Sequence, residues 1–201
     1  MKYMNKSIEE LHELLKSGEV TSKELENDKY YQIGDYCGRD GIEKVYETYP
    51  ELKDKKVVLI APTYRGRKVE DANYDFDKLN LEKIVSELGE DYQIVVKWHP
   101  ALYSNIKRGI CKFDSHKVID ASSYGDINDL LLVTDILVTD YSSVIFDWYL
   151  LNKPVVYFTY DLEEYESGRG MYFEFKDYVY GSVALNEDEL ITSIKSADMK
   201  D

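Results

Sequence analysis

From residue 57 onward the chain alternates short unbroken runs of aliphatic and β-branched residues with segments whose apolar positions recur at helical spacing. The runs at 57–61, 93–97, 117–119, 136–139 and 154–158 read as strands, and 76–88, 126–133, 142–151 and 187–196 as helices. Strands that are apolar throughout, rather than at every second position, suit a parallel sheet covered on both faces. The pattern therefore predicts an α/β fold with a doubly wound parallel sheet. Upstream the texture differs. Ser7 and Glu10 form a capping-box signature, Ile8, Leu11, Leu14 and Leu15 follow at helical spacing as far as Gly18, and a polar stretch runs over 21–29. Residues 1–29 are expected to be a helical appendage to a single domain over 30–201.

Composition narrows the partners. With 201 residues, 44% of them hydrophobic, the chain is too apolar for disorder and long enough for one core. Its 39 acidic against 25 basic residues give a net charge of −14, which excludes a general nucleic-acid surface, because such binding depends on clustered cations that release counterions. An anionic ligand must instead be held locally. Cys37 and Cys111 are too few for a disulfide framework and have no zinc-like neighbours. Reduced thiols in a cytoplasmic protein, without metal or cofactor, are the expectation. No apolar run approaches the ~18 residues of a membrane span.

All strands of a parallel sheet point their carboxyl ends at one edge, where ligands bind. The residues following the predicted strands are therefore the candidates: Thr63 and Arg65 after the first, His99 after the second, Asp140, Ser142 and Ser143 after the fourth, and Thr159-Tyr160-Asp161 after the fifth, so that one cation, one imidazole, several hydroxyls and two carboxylates converge. Val138-Thr139-Asp140-Tyr141-Ser142-Ser143 runs from a strand directly into a helix, whose first amides and two adjacent hydroxyls could grip a phosphate; a plain N-cap role for Asp140 or Ser142 is the competing reading. Asp147 lies four residues beyond Ser143, placed either for ribose hydroxyls or on a solvated face. His99, on the loop that Pro100 opens, can donate to a phosphate oxygen. Arg65 has the fork to reach a pyrophosphate, or to pair with a carboxylate, and Arg169 within Gly168-Arg169-Gly170 is a second cation. No Walker loop, Gly-x-Gly-x-x-Gly or Gly-x-Ser-x-Gly occurs, which disfavours an ATPase, a dehydrogenase or an esterase.

These residues carry a family likeness. Ala61-Pro62-Thr63-Tyr64-Arg65, Lys97-Trp98-His99-Pro100, and the block from Asp126 through Thr139-Asp140-Tyr141-Ser142-Ser143-Val144-Ile145-Phe146-Asp147 are its centre. Asn152-Lys153-Pro154, Tyr160-Asp161-Leu162-Glu163-Glu164-Tyr165 and Arg169-Gly170-Met171-Tyr172-Phe173 extend it. Together they resemble the carboxyl-terminal, nucleotide-binding half of the CDP-glycerol glycerophosphotransferases of teichoic acid synthesis and the related CDP-ribitol enzymes. The resemblance implies a Rossmann-like half of a glycosyltransferase-B type fold that holds CDP-glycerol or CDP-ribitol. It implies transfer of the alditol phosphate to a polymer hydroxyl with release of CMP, and no metal. By motif, His99 would donate to the pyrophosphate and Ser142 and Ser143 would bind its oxygens. Arg65 would neutralise charge and Asp147 would meet the ribose. The family's general-base histidine belongs to an amino-terminal acceptor half, expected here as a separate partner and as the source of any membrane contact. Two other readings share the crevice: a non-catalytic nucleotide-binding module, and half of a nucleotide-sugar transferase.

Overall fold

A computed structural model describes residues 17, 38–66, 68–106, 117–168, 175–177 and 179–198. Six parallel strands form one sheet: β1 (Lys56–Ile60), β2 (Tyr92–Val96), β3 (Val118–Asp120), β4 (Ile136–Thr139), β5 (Val155–Phe158) and β6 (Ser182–Ala184), in the order β3-β2-β1-β4-β5-β6. This is the doubly wound, Rossmann-like α/β arrangement expected from the sequence, and its order reverses between β1 and β4. The proposed appendage at 1–29 falls outside the described residues apart from Ser17.

Seven α-helices are described: α1 (Gly38–Thr48), α2 (Leu81–Leu88), α3 (Pro100–Ile106), α4 (Ile127–Val133), α5 (Val144–Trp148), α6 (Leu162–Gly168) and α7 (Glu187–Asp198). The sheet is buried on both faces because alternate residues of each strand enter different cores. Val58 and Ile60 of β1, with Ile94, Val96, Ile136, Val138, Val156 and Phe158, pack under Ile84 of α2, Leu102 of α3 and Leu190 and Ile194 of α7. Val57 and Leu59, with Val95, Leu137, Val155 and Tyr157, pack under Val45 of α1, Leu130 and Leu131 of α4 and Ile145 and Trp148 of α5. Each such side chain fully buried contributes about 1.5–3 kcal/mol of transfer free energy. The continuous apolar runs are thus the sum of two interleaved period-2 patterns.

Several elements differ from the sequence expectation. The helix read over 76–88 is a 3-10 turn at Phe76–Lys78 followed by α2, because Asn80 turns out of the helical region and its Oδ1 accepts the Lys83 amide at 3.0 Å as an N-cap. The helix read over 142–151 is only α5 plus a 3-10 turn at Tyr149–Leu151, ended by Asn152 in the left-handed region with φ 51°. α3, α6 and β6, of seven, seven and three residues, carried too little periodic signal to be predicted; α1, of 11 residues, was not read from the sequence although Ile42, Val45 and Tyr46 recur at helical spacing. Pro100, read as a strand stop, occupies the first position of α3, where its missing N–H costs nothing.

Candidate functional site

The crevice of a doubly wound sheet lies beyond the carboxyl ends of the strands that flank the reversal, here β1 and β4. The loops leaving these two strands are bound to each other from the first residue. The Ala61 amide donates to Val138 O at 2.9 Å, and the Thr139 hydroxyl donates to Ala61 O at 2.8 Å. The β1 loop then folds back on itself, with Arg65 and Asn73 forming an antiparallel bridge closed through Gly66 at φ +105°. A Cβ on Gly66 would stand 2.4 Å from Asp71 O, so only glycine allows this turn.

Asp140, the first residue after β4, is 1% exposed. Its Oδ1 accepts the Thr63 amide at 2.8 Å, the Thr63 hydroxyl at 2.6 Å and the Tyr141 amide at 2.7 Å. Its Oδ2 accepts Arg65 Nη1 at 2.7 Å. The helix-cap reading of Asp140 does not describe these contacts, and the side chain faces the protein on all of them.

Arg65 is equally committed. Nε and Nη2 form a fork onto Asp161, the third residue after β5, at 2.5 and 2.9 Å, and Nη1 also donates to Thr63 O at 2.8 Å. Four of the five N–H donors of a guanidinium therefore meet protein acceptors. The rings of Tyr74, Tyr141, Tyr160 and Tyr165 surround Cζ, with centroids between 5.1 and 5.7 Å away, within range of cation–π attraction. The Tyr141 hydroxyl donates to Asp161 Oδ1 at 3.0 Å, and its ring stacks on Tyr165 at 3.9 Å. Of the two alternatives the sequence left for Arg65, carboxylate pairing is the geometry observed.

Ser142, Ser143 and His99 follow the carboxyl ends of β4 and β2 on the same edge. Ser142 Oγ accepts the Val144 amide at 3.3 Å, and Ser143, exposed, makes no side-chain capping bond. α5 is a single turn and a half, so its dipole adds little, and the two hydroxyls are the main polar offering. Asp147 is exposed on α5. His99 is exposed with its ring tilted against Tyr64 at 4.7 Å, and its Nδ1 accepts the Ala101 amide at 3.1 Å. A ring nitrogen that accepts an amide proton carries none of its own, so the neutral imidazole holds its proton on Nε2. Donation to a phosphate then requires no protonation of the ring. Lys97, the next cation along the edge, donates to Tyr124 O at 2.7 Å, and burial holds its ammonium below the usual lysine range. Arg169 lies outside the described residues. Among the described residues no three potential metal ligands gather, and no helix is long and apolar enough to cross a membrane.

Asp161, Tyr141 and Tyr160 were placed on this edge by the sequence as residues that follow strands, but without a role in pairing Arg65. Asp161, the third residue after β5, carried that positional signal, and Tyr165 lay in a stretch that matches the family; Tyr74, one of 19 tyrosines, carried none.

The packed phenols provide a pH test. Burial, reinforced by the field of Asp161, pushes Tyr141 well above the usual tyrosine range; burial likewise raises Tyr74, and Tyr160 is pushed up to about 12. A folded-state pKa raised above the unfolded value near 10 means that the folded protein holds the proton more tightly. Its stability is therefore intact below about pH 10 and falls as pH rises toward 12 and beyond. An ultraviolet titration is expected to show a class of tyrosines that ionises only with unfolding; a single ordinary step for all tyrosines would contradict the packing.

Comparison with known proteins follows the same outline. The model of the family described as CDP-Glycerol:Poly(glycerophosphate) glycerophosphotransferase matches residues 26–201. The chain is 43% identical over 155 residues to a teichoic acid poly(ribitol-phosphate) polymerase of Bacillus spizizenii, covering 76% of this chain and 24% of that protein. It is 35% identical over 158 residues to a teichoic acid glycerol-phosphate primase of Bacillus subtilis, covering 79% and 39%. Among solved structures, the wall teichoic acid polymerase TagF superposes with a TM-score of 0.65 at 30% identity, over 87% of this chain and 41% of that one. A TagF variant soaked with CDPG gives the same score over 80% and 39%. The chain thus spans between a quarter and two fifths of the length of these relatives. On the extent of the family match and the level of identity, this chain belongs to the CDP-glycerol:poly(glycerophosphate) glycerophosphotransferase family.

Proposed function

We propose that this domain binds a CDP-activated alditol, CDP-glycerol or CDP-ribitol, along the carboxyl edge of its sheet, and acts as the donor half of a teichoic-acid-type alditol phosphotransferase. The observation that carries this reading is the joining of the β1 and β4 loops at the strand-order reversal, which puts Thr63, Ser142 and Ser143 on the rim where nucleotides bind doubly wound sheets. The hydroxyls of Ser142 and Ser143 donate to the diphosphate, His99 donates through Nε2–H, and Asp147 accepts from the ribose. Arg169 supplies positive charge. The TagF variant soaked with CDPG, which the chain matches over its Rossmann-like part, supports the choice of nucleotide.

In the reaction, a hydroxyl oxygen of the acceptor polymer forms a bond to the alditol-bearing phosphorus. The bond from that phosphorus to the bridging oxygen breaks, CMP leaves, and the hydroxyl proton passes to a base in the acceptor half. Transfer of this kind rests on positioning and charge neutralisation. Donation by His99 to the departing phosphate offsets the charge that develops there. The acceptor half also provides contact with the inner face of the membrane.

Isothermal titration with CDP, CDP-glycerol and UDP tests the assignment. Cytidine nucleotides are expected to bind in preference to UDP, and replacing both Ser142 and Ser143 with alanine is expected to weaken CDP about tenfold or more, since hydrogen bonds to charged groups are each worth about 1.5–3 kcal/mol. Equal binding of UDP would favour the nucleotide-sugar reading. CDP binding with no CMP release after addition of an acceptor half would favour the non-catalytic one.

A further inference from the structure

The sequence offers Arg65 as the cation that meets the diphosphate, but the structure gives it different work. Its fork closes on Asp161, its third nitrogen serves Asp140 and Thr63 O, and its side chain is 13% exposed. The carboxylates it holds are themselves fasteners. Asp140 grips the backbone amides of both Thr63 and Tyr141, and Asp161 receives the Tyr141 hydroxyl. The surrounding rings come from every segment that meets here: Tyr74 from the chain after β1, Tyr141 from the β4 loop, Tyr160 from the β5 loop and Tyr165 from α6. One guanidinium therefore joins the three loops leaving β1, β4 and β5.

The charge balance points the same way. One cation set against two carboxylates leaves this group with a net charge of −1, which repels a diphosphate rather than attracting it. With the fork closed, one Nη2 N–H is left for a ligand; turning the fork itself to a diphosphate would abandon both bonds to Asp161 and leave that carboxylate, 10% exposed, with the Tyr141 hydroxyl but no cation. We infer that Arg65, Asp140 and Asp161 are positioning residues, a brace that holds Thr63 through its amide and hydroxyl and fixes the three loops so that Ser142 and Ser143 are presented together, and that Arg65 does not touch the nucleotide. The effect on nucleotide affinity rests on the function proposed above; the effect on the loops does not.

Two roles for Arg65 give opposite signs for one isosteric change. If Arg65 were a ligand cation held back by Asp161, Asp161→Asn would release it, remove a negative charge and tighten CDP binding. As a brace, Asp161→Asn loosens the loops and weakens CDP about tenfold. Arg65→Lys separates the roles again: it keeps the charge but not the fork, so a brace loses as much affinity in Arg65→Lys as in Arg65→Gln, whereas a neutralising residue keeps most of it in the lysine variant. Amide hydrogen exchange of the full chain without nucleotide supplies the independent reading. Asp161→Asn and Arg65→Lys are expected to speed exchange at Thr63 and Tyr141 about tenfold while Val58 and Leu59 in β1 are unchanged. Unchanged exchange at Thr63 and Tyr141, or CDP bound as tightly or more tightly by Asp161→Asn, overturns the brace. Accelerated exchange in a chain whose native form binds no CDP leaves the brace standing and removes the nucleotide assignment instead.

Discussion

Replacing Asp140 with alanine is expected to cost about 3–5 kcal/mol of folding stability, the range for breaking a buried ion pair from one side. The carboxylate is 1% exposed and serves four donors. Without it, one nitrogen of Arg65 loses its carboxylate inside a ring of tyrosines, and the Thr63 and Tyr141 amides lose their acceptor. Against a typical total of about 5–15 kcal/mol, the loss is large enough to show as a marked shift of the urea midpoint. Nucleotide affinity should fall with it, since the same carboxylate ties the two loops that carry Thr63 and Ser142. Asp147→Ala is the control: an exposed carboxylate on α5 whose removal should change stability by about 0.5 kcal/mol at most. An Asp140→Ala protein within 1 kcal/mol of the native form, on the scale of ordinary single hydrogen bonds, would show that the junction does not hold the loops.

Trp148→Ala is expected to cost a similar amount, about 3–5 kcal/mol, for a different reason and without the same effect on binding. Trp148 has no exposed surface and fills the core between α5 and the sheet, while its indole Nε1 donates to Lys153 O at 3.0 Å and Pro154 O at 3.2 Å. Those bonds fix the tight turn at Asn152 that delivers the chain into β5. Alanine removes both the ring and the donor. Trp148→Phe keeps the six-membered ring and loses the fused five-membered ring with its donor, so a smaller cost of about 1–3 kcal/mol is expected. Denaturant unfolding of the two variants should preserve that order, and the folded fraction of each should bind CDP as the native chain does. Equal costs would mean that the five-membered ring and its N–H, not the six-membered ring, carry the contribution.

The two substitutions mark a division that runs through the whole molecule. Hydrophobic pattern alone located β1, β2, β4 and β5 to within one residue or so, because strands buried on two faces admit only apolar side chains and the pattern is then local. It also located the rim, since the residues after each strand of a parallel sheet are neighbours by topology. Thr63, His99, Asp140, Ser142 and Ser143 were legible for that reason. β6 and α6 were not: three residues of an edge strand and a seven-residue helix with one buried side chain, Tyr165, leave too little periodicity to read.

What the sequence determined by itself was therefore the class of fold, the residues that share the carboxyl edge of the sheet and the motifs that join the chain to its family. What only the tertiary structure decided was how the charges on that edge are paired. Arg65 is separated from Asp140 by 75 residues and from Asp161 by 96, and although the rule that residues after parallel strands are neighbours puts all three on one edge, it does not say that the cation is spent on the carboxylates rather than on a ligand. The choice is made when the strand order brings the β1, β4 and β5 loops to adjacent positions and tyrosines from each exclude water around the guanidinium. Hydrophobic periodicity is a property of neighbouring residues and can be read along the chain, whereas ion pairing depends on distances that exist only once the sheet has assembled.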